Sequence, residues 1–193
     1  ITPKTPKEIS SDSLQNPSDP DATYSGHKGQ GFQAQIMETY SEDKKETVLN
    51  LITHVEVEPS HNSDAHALIP AIESVKEQKM MPEVVLADSL YGSDDNTQKA
   101  DEMAVEIVSP VMGGAKDGAL QAFALSENGH IASCPQGHVP VKTRKRKDRS
   151  GAAFNSQCCL RCPMKDTCPA KQGKKYHYVN YTDKDLRISK RRA

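Results

Sequence analysis

The stretch Glu83–Asp88, which reads EVVLAD, decides the fold class together with the turn-like Ser89–Gly92, SLYG, that follows it. Four consecutive apolar residues indicate a strand buried on both faces, as in the middle of a parallel or mixed sheet. Ligands and catalytic groups of open α/β sheets gather outside the carboxyl ends of the strands. Two interpretations of Asp88 therefore stay open, a turn residue or a metal ligand.

The residues before this stretch predict a β-hairpin. Gly31–Tyr40 alternates apolar and polar residues and predicts a half-buried strand, and the β-branched Thr47–Val57 predicts a second, antiparallel strand. Ser41–Lys45 supplies the polar turn between them. The apolar side of the first strand comprises Phe32, Ala34 and Ile36, which alternate with Gln33 and Gln35.

Helices and strands alternate after the hairpin. Apolar residues at helical spacing predict a helix capped by Ser63 or Asn62, with Pro70 disturbing its first turn. After the Asp88 strand, a second helix is predicted over Ser93–Met103 and a short strand over Val105–Val108. The predicted order of strand, strand, helix, strand, helix, strand indicates an α/β domain.

The composition favours one lean α/β domain with irregular segments and a small second module. Of the 193 residues, 35% are hydrophobic and none is Trp, and the mean hydropathy is -0.70. Residues 1–30 are rich in Pro, Ser, Asp and Gly and are predicted to be a linker or loop. No apolar run approaches a membrane span and no signal peptide opens the chain, so we expect a cytoplasmic protein with no membrane partner. The chain begins without Met, and we expect a fragment of a longer protein.

Charge is divided between the two halves of the chain. Residues 1–100 carry 8 Lys and Arg against 17 Asp and Glu, whereas residues 101–193 carry 17 against 9. The net charge of -1 thus hides an acidic half and a basic half. This asymmetry favours a polyanionic partner for the basic half, with solvated charge as the alternative.

A cysteine-rich module is predicted over residues 129–180. Four cysteines have a spacing that suits a closed, structural Zn²⁺ site, with His138 as a substitute ligand and Cys158 as the spare. The alternatives are disulfides, which a chain without secretory context disfavours, and free core thiols. The predicted ligands are Cys134, Cys159, Cys162 and Cys168.

Between the first and second of these ligands lies a run of positive charge. Such a loop can neutralise DNA phosphates, and the alternative is a solvated loop with no ligand. The predicted DNA-binding residues are Lys142, Arg144, Lys145, Arg146, Lys147 and Arg149.

Several short motifs occur in the order seen in one family. Asp19–Ala22 (DPDA), Gly26–Gly29 (GHKG) and Ala87–Ser93 (ADSLYGS) resemble the central part of bacterial insertion-sequence transposases of the DDE type. The later Cys-Pro-x-Gly, Cys-x2-Cys-Pro and Thr-Cys-Pro elements resemble the cysteine insert of one branch of that family. The resemblance runs from about Asp19 to the end of the chain.

The resemblance implies a ribonuclease-H-like fold, a mixed five-stranded sheet flanked by helices. Residues 31–128 would form an incomplete catalytic core, residues 129–180 a zinc-knuckle insert, and residues 181–193 the start of a further helix. Asp88 resembles the second catalytic Asp, a ligand of Mg²⁺ or Mn²⁺. The implied activity is metal-dependent cleavage and transfer of DNA strands, in which two ions about 3.5–4 Å apart assist an in-line displacement. The implied partners are transposon ends and target DNA, with a homo-oligomer acting in the bacterial nucleoid.

The chain departs from the family pattern at the other two carboxylates. Asp12 lies in a polar segment rather than on an apolar strand, and Glu127 is the last Glu of the chain, so no Glu follows the cysteine insert. We expect both partners of Asp88 to lie outside this fragment, which would then be inactive alone; a decayed, inactive transposase is the alternative. Two hypotheses from other classes are a non-catalytic zinc-dependent nucleic-acid-binding module and a ribonuclease-H-like nuclease with another substrate.

Four further residues have weaker functional interpretations. His61 and Asp64 lie in a turn that resembles a recurrent family turn, and we interpret this turn chiefly as a helix cap. Direct DNA contact by His27 and Lys28 is weighed against an ordinary loop position for both.

Overall fold

The computed structural model describes residues 4–41, 49–112, 120–147 and 149–192. The chain divides into two compact units, Ile1–Pro110 and Val111–Ala193, so the predicted module boundary near residue 129 falls inside the second unit. The described residues form four α-helices and several small sheets, which confirms the mixed α/β class. A helix long and apolar enough to cross a bilayer is not found among them.

The first unit begins with a three-stranded antiparallel sheet. Its strands are β1 (Thr23–Ser25), β2 (Gly29–Glu38) and β3 (Ile52–Pro59), in the order β1-β2-β3. The hairpin predicted from the sequence is thus present, although 42–48 lie outside the described residues. The linker predicted over residues 1–30 is wrong at its end, because β1 turns tightly into β2 through Gly29, whose φ of +84° favours glycine.

The two faces of β2 are the reverse of the predicted ones. Phe32 and Ile36 are 49% and 61% exposed, whereas Gln35 is only 8% exposed. Val55 and Val57 of β3 pair with Ile36 and Ala34 and are exposed as well. We call this the bare face, formed by Phe32, Ala34, Ile36, Val55 and Val57. The glutamine side turns inward because it finds hydrogen-bond partners there.

Two helices and a parallel strand pair complete the first unit. Helix α1 spans Leu68–Glu77, strand β4 Val84–Leu86, helix α2 Asp94–Glu102 and strand β5 Glu106–Val108, in the predicted order. Strands β4 and β5 pair in parallel, as the two strands of a β-α-β unit do, and α2 is the helix that connects them. The core packed between these elements comprises Leu68, Ile72, Val85, Ala100, Val105 and Ile107.

The caps of the two helices differ from each other. Ser93 caps α2 as predicted, accepting a hydrogen bond from the Asn96 amide at 3.1 Å. The predicted cap of α1 by Ser63 or Asn62 is wrong, because a single 3₁₀ turn at Asp64–His66 precedes the helix and its N-cap is Ala67. Pro70 is accommodated as the third residue of α1, where a backbone N–H has no helical partner to lose.

Strand β4 is buried on one face only, so the prediction of a strand buried on both faces is wrong. Val85 lies in the core, while Val84 and Leu86 are 48% and 54% exposed. The reason is that β4 pairs only with β5 among the described strands, and the helices cover one side of this pair. The apolar run of β4 therefore exposes Val84 and Leu86 to water.

The second unit is built on a four-stranded antiparallel sheet in the order β10-β11-β9-β8. Its strands are β8 (Lys142–Lys145), β9 (Arg149–Asn155), β10 (Lys171–Gln172) and β11 (Tyr176–Thr182). A short hairpin of β6 (Ala124–Leu125) and β7 (Ile131–Ser133) precedes it, after a 3₁₀ turn at Leu120–Ala122. Helix α3 spans Ser156–Leu160 and α4 spans Asp183–Arg192, within residues 181–193 where the start of a further helix is predicted.

One face of this sheet carries the core of the second unit. Its buried members are Phe123, Ile131, Ala152, Phe154, Val179 and Tyr181. Tyr181 also joins the small hairpin to the sheet, because its hydroxyl donates to the Gly129 carbonyl and accepts from the Ile131 amide, both at 3.3 Å. Cys134, Cys159 and Cys168 pack against this core.

Candidate functional site

Asp88 lies in the turn just beyond the carboxyl end of β4. The strand's pairing continues one residue further, where the Ala87 amide donates to the Val108 carbonyl at 3.0 Å. The Asp88 side chain is exposed, and its Oδ1 accepts from the Leu90 amide at 2.8 Å and from the Ser89 hydroxyl at 3.1 Å. Asp88 is therefore a turn-forming residue, and both of these hydrogen bonds use the same carboxylate oxygen.

Tyr91 connects the Asp88 turn to the hairpin. Its backbone amide donates to the Asp88 carbonyl at 3.1 Å, and its hydroxyl donates to Gln35 Oε1 at 2.7 Å. The buried Gln35 amide in turn donates to Asp64 Oδ1 at 3.1 Å and to Glu58 Oε1 at 3.3 Å. A chain of polar side chains thus runs from the Asp88 turn across β2 to the turn before α1.

Three carboxylates surround this chain of hydrogen bonds. Burial is the largest cause of a raised pKa at Tyr91, and the negative charges of Asp64, Asp88 and Glu58 add to it. Each of these charges opposes formation of a tyrosinate. The region beside Asp88 is therefore acidic and partly shielded from water.

Lys28 and His61 hold the turn before α1. Lys28 Nζ forms an ion pair with Asp64 and donates to the Asn62 carbonyl at 3.1 Å. His61 lies 2.8 Å from the Thr23 hydroxyl through Nδ1, and its backbone amide donates to the same hydroxyl at 3.2 Å. Both residues have structural partners inside the first unit, while His27 is exposed.

Asn96 anchors the same region from α2. The side chain is buried, and its amide donates at 2.8 Å to the carbonyls of Ala65 and Tyr91. One residue therefore fixes both the 3₁₀ turn and the end of the Asp88 turn. The sequence placed an Asn near this helix start, but nothing local distinguished this anchoring role from an ordinary cap.

The acidic side chains do not form a metal site by themselves. Over the ranges 4–41, 49–112, 120–147 and 149–192, no three His, Cys, Asp or Glu side chains meet closely enough to hold an ion. Glu58 and Asp64 are instead engaged by amides and by Lys28. Among the described residues, Asp88 thus shares no metal-ligand group with other carboxylates.

The four cysteines predicted to bind zinc line one cavity of about 370 Å³ in the second unit. Cys134 enters it from the turn after β7, Cys159 from α3, and Cys162 and Cys168 from the loop that follows. His138, the predicted substitute ligand, lines the same cavity, and so does His177. All five cysteines are free and partly exposed, and Cys158 is not among the lining residues.

Cys159 is the thiol whose pKa responds to its burial and to the other cysteines. Burial raises its pKa to about 11, and the neighbouring thiols of Cys168, Cys134 and Cys162 contribute further. Gathered thiols resist ionisation because each new negative charge meets others. Four thiols on one cavity are the donor set that a structural Zn²⁺ takes, although their side chains do not meet as a ligand group among the described residues.

The predicted basic loop is a β-hairpin rather than a loop. Lys142, Arg144 and Lys145 belong to β8 and Arg149 belongs to β9, so only Arg146 and Lys147 of the six predicted DNA-binding residues lie in the turn. Pairing with β9 holds the basic run in an extended backbone conformation. The register places Lys142 opposite Ala153 and Lys145 opposite Ser150. All six side chains are exposed.

Comparisons with protein-family models, with curated proteins and with solved structures give no significant match.

Proposed function

We propose that this chain is the central part of a DNA transposase of the DDE type, with Asp88 as its second catalytic carboxylate. The observation that supports this most is the position of Asp88, directly after a parallel strand, where its charge acts on Tyr91 together with those of Asp64 and Glu58. Carboxylates at the carboxyl end of such a strand are where α/β enzymes place their chemistry. The order of the short sequence motifs supports the same assignment.

The ribonuclease-H-like sheet belongs to this proposal. In the first unit, β2 pairs with β3 along one edge and with β1 only over Gly29–Gly31 along the other, and β4 pairs only with β5. One further strand between β2 and β4 would join β3, β2, β4 and β5 into a five-stranded sheet, with the short β1 as an addition at its side. That strand would carry the first catalytic carboxylate next to Asp88.

Asp88 would bind the catalytic metal through Oδ2, the oxygen that neither turn hydrogen bond uses. When bound, Mg²⁺ or Mn²⁺ supplies activation of the attacking hydroxyl and stabilisation of the leaving oxygen. The Oδ1 hydrogen bonds would orient the carboxylate, and the Tyr91–Gln35 contact would hold the turn. The remaining ligands would come from outside the described residues, and a homo-oligomer would bring transposon ends and target DNA together.

The cysteine cavity would hold a structural Zn²⁺ through Cys134, Cys159, Cys162 and Cys168. The donor set supports this, since four thiolates around one ion leave no open position for chemistry. The ion would tie the turn after β7 to α3 and its following loop. It would also fix the base of the β8–β9 hairpin, whose cations would contact DNA phosphates.

Asp88→Asn in the full-length protein tests the catalytic assignment. Asn retains an oxygen that can accept the turn hydrogen bonds but removes the charge, so the fold should persist. We expect strand cleavage at transposon ends to fall about 100-fold or more, because metal-assisted stabilisation is worth several kcal/mol and each 1.36 kcal/mol is tenfold. End binding should change by less than about twofold, since the phosphate contacts lie in the second unit.

Asp101→Asn is the matched control, an exposed carboxylate in α2 with no role in the turn. Cleavage that survives in Asp88→Asn at the level of this control would contradict the catalytic role of Asp88.

A second candidate is a non-catalytic, zinc-dependent nucleic-acid-binding module. The observation that favours it is the turn-forming role of Asp88, whose Oδ1 accepts both hydrogen bonds of the turn. On this alternative Asp88→Asn would leave every activity unchanged, whereas removal of the cysteine thiols would abolish nucleic-acid binding.

A further inference from the structure

The four-stranded sheet of the second unit has a second face, opposite its core. Strand pairing places alternate residues of β8, β9, β10 and β11 on this side. We call it the outer face, formed by Lys142, Arg144, Gly151, Ala153, Lys171, Tyr176, Tyr178 and Asn180. Cations lie at its two edges, small residues in the middle strand and aromatic rings on β11.

The cations lie flat across the small residues. Lys142 Nζ is 5.0 Å from the centroid of the Tyr176 ring, two strands away. Arg144 crosses Gly151 to donate from Nη2 to Asn180 Oδ1 at 3.1 Å, and a Cβ on Gly151 would come within 3.1 Å of Arg144 Nε. The middle of the sheet therefore has to carry only small residues, such as Gly151 and Ala153, for these cations to reach β11.

The two tyrosines stand side by side on β11. The ring centroids of Tyr176 and Tyr178 are 6.3 Å apart and the planes meet at 87°, an edge-to-face pair. Tyr178 rests on Gly173, where an added Cβ would come within 2.6 Å of the ring. Neither ring belongs to the hydrophobic core of the second unit, and both are partly exposed. The two rings are thus fixed by their neighbours, and part of each ring surface stays accessible.

The four strands of this sheet carry no carboxylate, and Asp148, between β8 and β9 in the sequence, lies outside the described residues. The sequences of the four strands, KTRK, RSGAAFN, KQ and YHYVNYT, contain five Lys or Arg residues and no Asp or Glu. A phosphate chain passing along either edge would meet cations and no like charge. Charge complementarity therefore points to a polyanion, and the aromatic rings point to a polyanion with flat groups to stack.

We propose that the outer face binds single-stranded DNA, with unpaired bases stacking on Tyr176 and Tyr178 and phosphates held by Lys142, Arg144 and Lys171. Base faces are hidden inside a duplex, so the rings offer an advantage only to an unpaired strand. A base on Tyr176 takes the place of the Lys142 ammonium, which then reaches the adjacent phosphate. This inference rests on the proposed DNA-related function and names the DNA form that the second unit prefers.

The test uses fluorescence anisotropy of the whole chain with a labelled oligonucleotide, single-stranded or annealed to its complement, over the same series of salt concentrations. Tyr176→Leu combined with Tyr178→Leu keeps apolar bulk but removes the stacking surface. We expect its affinity for the single strand to fall about 10-fold or more, while its affinity for the duplex changes by less than about twofold. Lys142→Gln combined with Arg144→Gln should weaken both forms and flatten their salt dependence.

Tyr40→Leu is the matched control, because Tyr40 is 63% exposed and belongs to the first unit. A second measurement needs no variant: 2-aminopurine in the single strand should change its fluorescence on binding, as a base does when it stacks on an aromatic ring. Unchanged single-strand affinity in the double tyrosine variant, or an unchanged 2-aminopurine signal, would overturn the inference.

The same titrations separate this inference from the proposed function. Duplex binding without any single-strand preference would remove the stacking role and leave the transposase proposal standing. Absence of binding to either form would remove both. The Asp88→Asn cleavage test changes a residue of the first unit, and its Asp101→Asn control has the same outer face.

Discussion

Tyr91 shows how one side chain ties a candidate catalytic carboxylate to a distant part of the chain. Its hydroxyl donates to Gln35, 56 positions earlier in the sequence, while its backbone closes the turn on Asp88. A phenolate could not donate this hydrogen bond, and three nearby carboxylates oppose its formation. The protonation of Tyr91 is therefore coupled to the folding of the first unit.

Alkaline pH should weaken the first unit through Tyr91. Its pKa in the folded chain is raised above the ordinary value of 10.0. Stability from a raised pKa is fully present below the unfolded value and is lost as pH rises through the folded one. We expect Tyr91→Phe to reduce this alkaline loss, although the variant forfeits a hydrogen bond worth about 1 kcal/mol at neutral pH.

Absorbance at 295 nm during a pH titration, together with urea unfolding at pH 7 and pH 11, measures both effects. Tyr181 also has a raised pKa through burial, so one late-titrating tyrosine should remain in the variant. Tyr40→Phe, at an exposed position, is the control. An identical alkaline loss in Tyr91→Phe and in the unaltered chain would contradict the coupling.

At the scale of elements, α2 is joined to the site by Asn96 rather than by its apolar residues. Asn96→Ala would leave the partly buried carbonyls of Ala65 and Tyr91 without the donor that the buried Asn96 side chain supplies. We expect a loss of about 1–3 kcal/mol in the free energy of unfolding, since an acceptor shielded from water loses stability when its hydrogen-bond partner is removed. Urea unfolding of the first unit measures it.

Lys99→Ala in the same helix is the control, because Lys99 is exposed and lies at the helix end. A cost for Asn96→Ala no greater than that for Lys99→Ala would show that the two carbonyls find other partners.

The order of elements in the first unit was predictable from local pattern. Helical spacing after Ala67, the Ser93 cap and the apolar run before Asp88 each act over a few residues, and each produced the expected element. The turn-forming interpretation of Asp88 was also open from its position before Ser89–Gly92.

The orientation of β2 was not predictable from pattern alone. Alternation of Phe32 with Gln33 fixes two faces but does not say which one meets the core. The choice depends on Tyr91, Asp64 and Glu58, which satisfy Gln35 from distant positions. The β8–β9 hairpin was missed for a related reason, because its run of cations resembles a solvated loop until pairing with the apolar β9 is known.

At the scale of the whole molecule, two compact units share one chain. The first holds its core between α1, α2 and the β4–β5 pair, and the second between its four-stranded sheet and the small β6–β7 hairpin. The candidate catalytic residue lies in the first unit, and the cysteine cavity and cationic hairpin lie in the second. Their separate cores predict separate responses to perturbation.

Removal of zinc should affect only the second unit. If the four thiols hold about one ion per chain, chelation removes folding free energy from residues that the ion connects. We expect limited proteolysis after chelation to cut within Val111–Ala193 and to spare the first unit. Cys159→Ser should reproduce the effect, while Cys158→Ser, whose side chain does not line the cavity, should leave zinc content unchanged.

Elemental analysis of carefully purified protein decides the premise. Zinc near zero, with a second unit that resists protease equally well before and after chelation, would remove the metal from the proposal.

Exposure of the bare face of β2 and β3 to water is unfavourable in free energy. Ile36, Val55 and Val57 are each more than half exposed, and a side chain of this kind gains about 1.5–3 kcal/mol when fully buried. Stacking of this face on a similar apolar surface would recover that free energy, so the bare face favours self-association. We therefore expect a charge placed at Val57 to raise the solubility of the isolated chain.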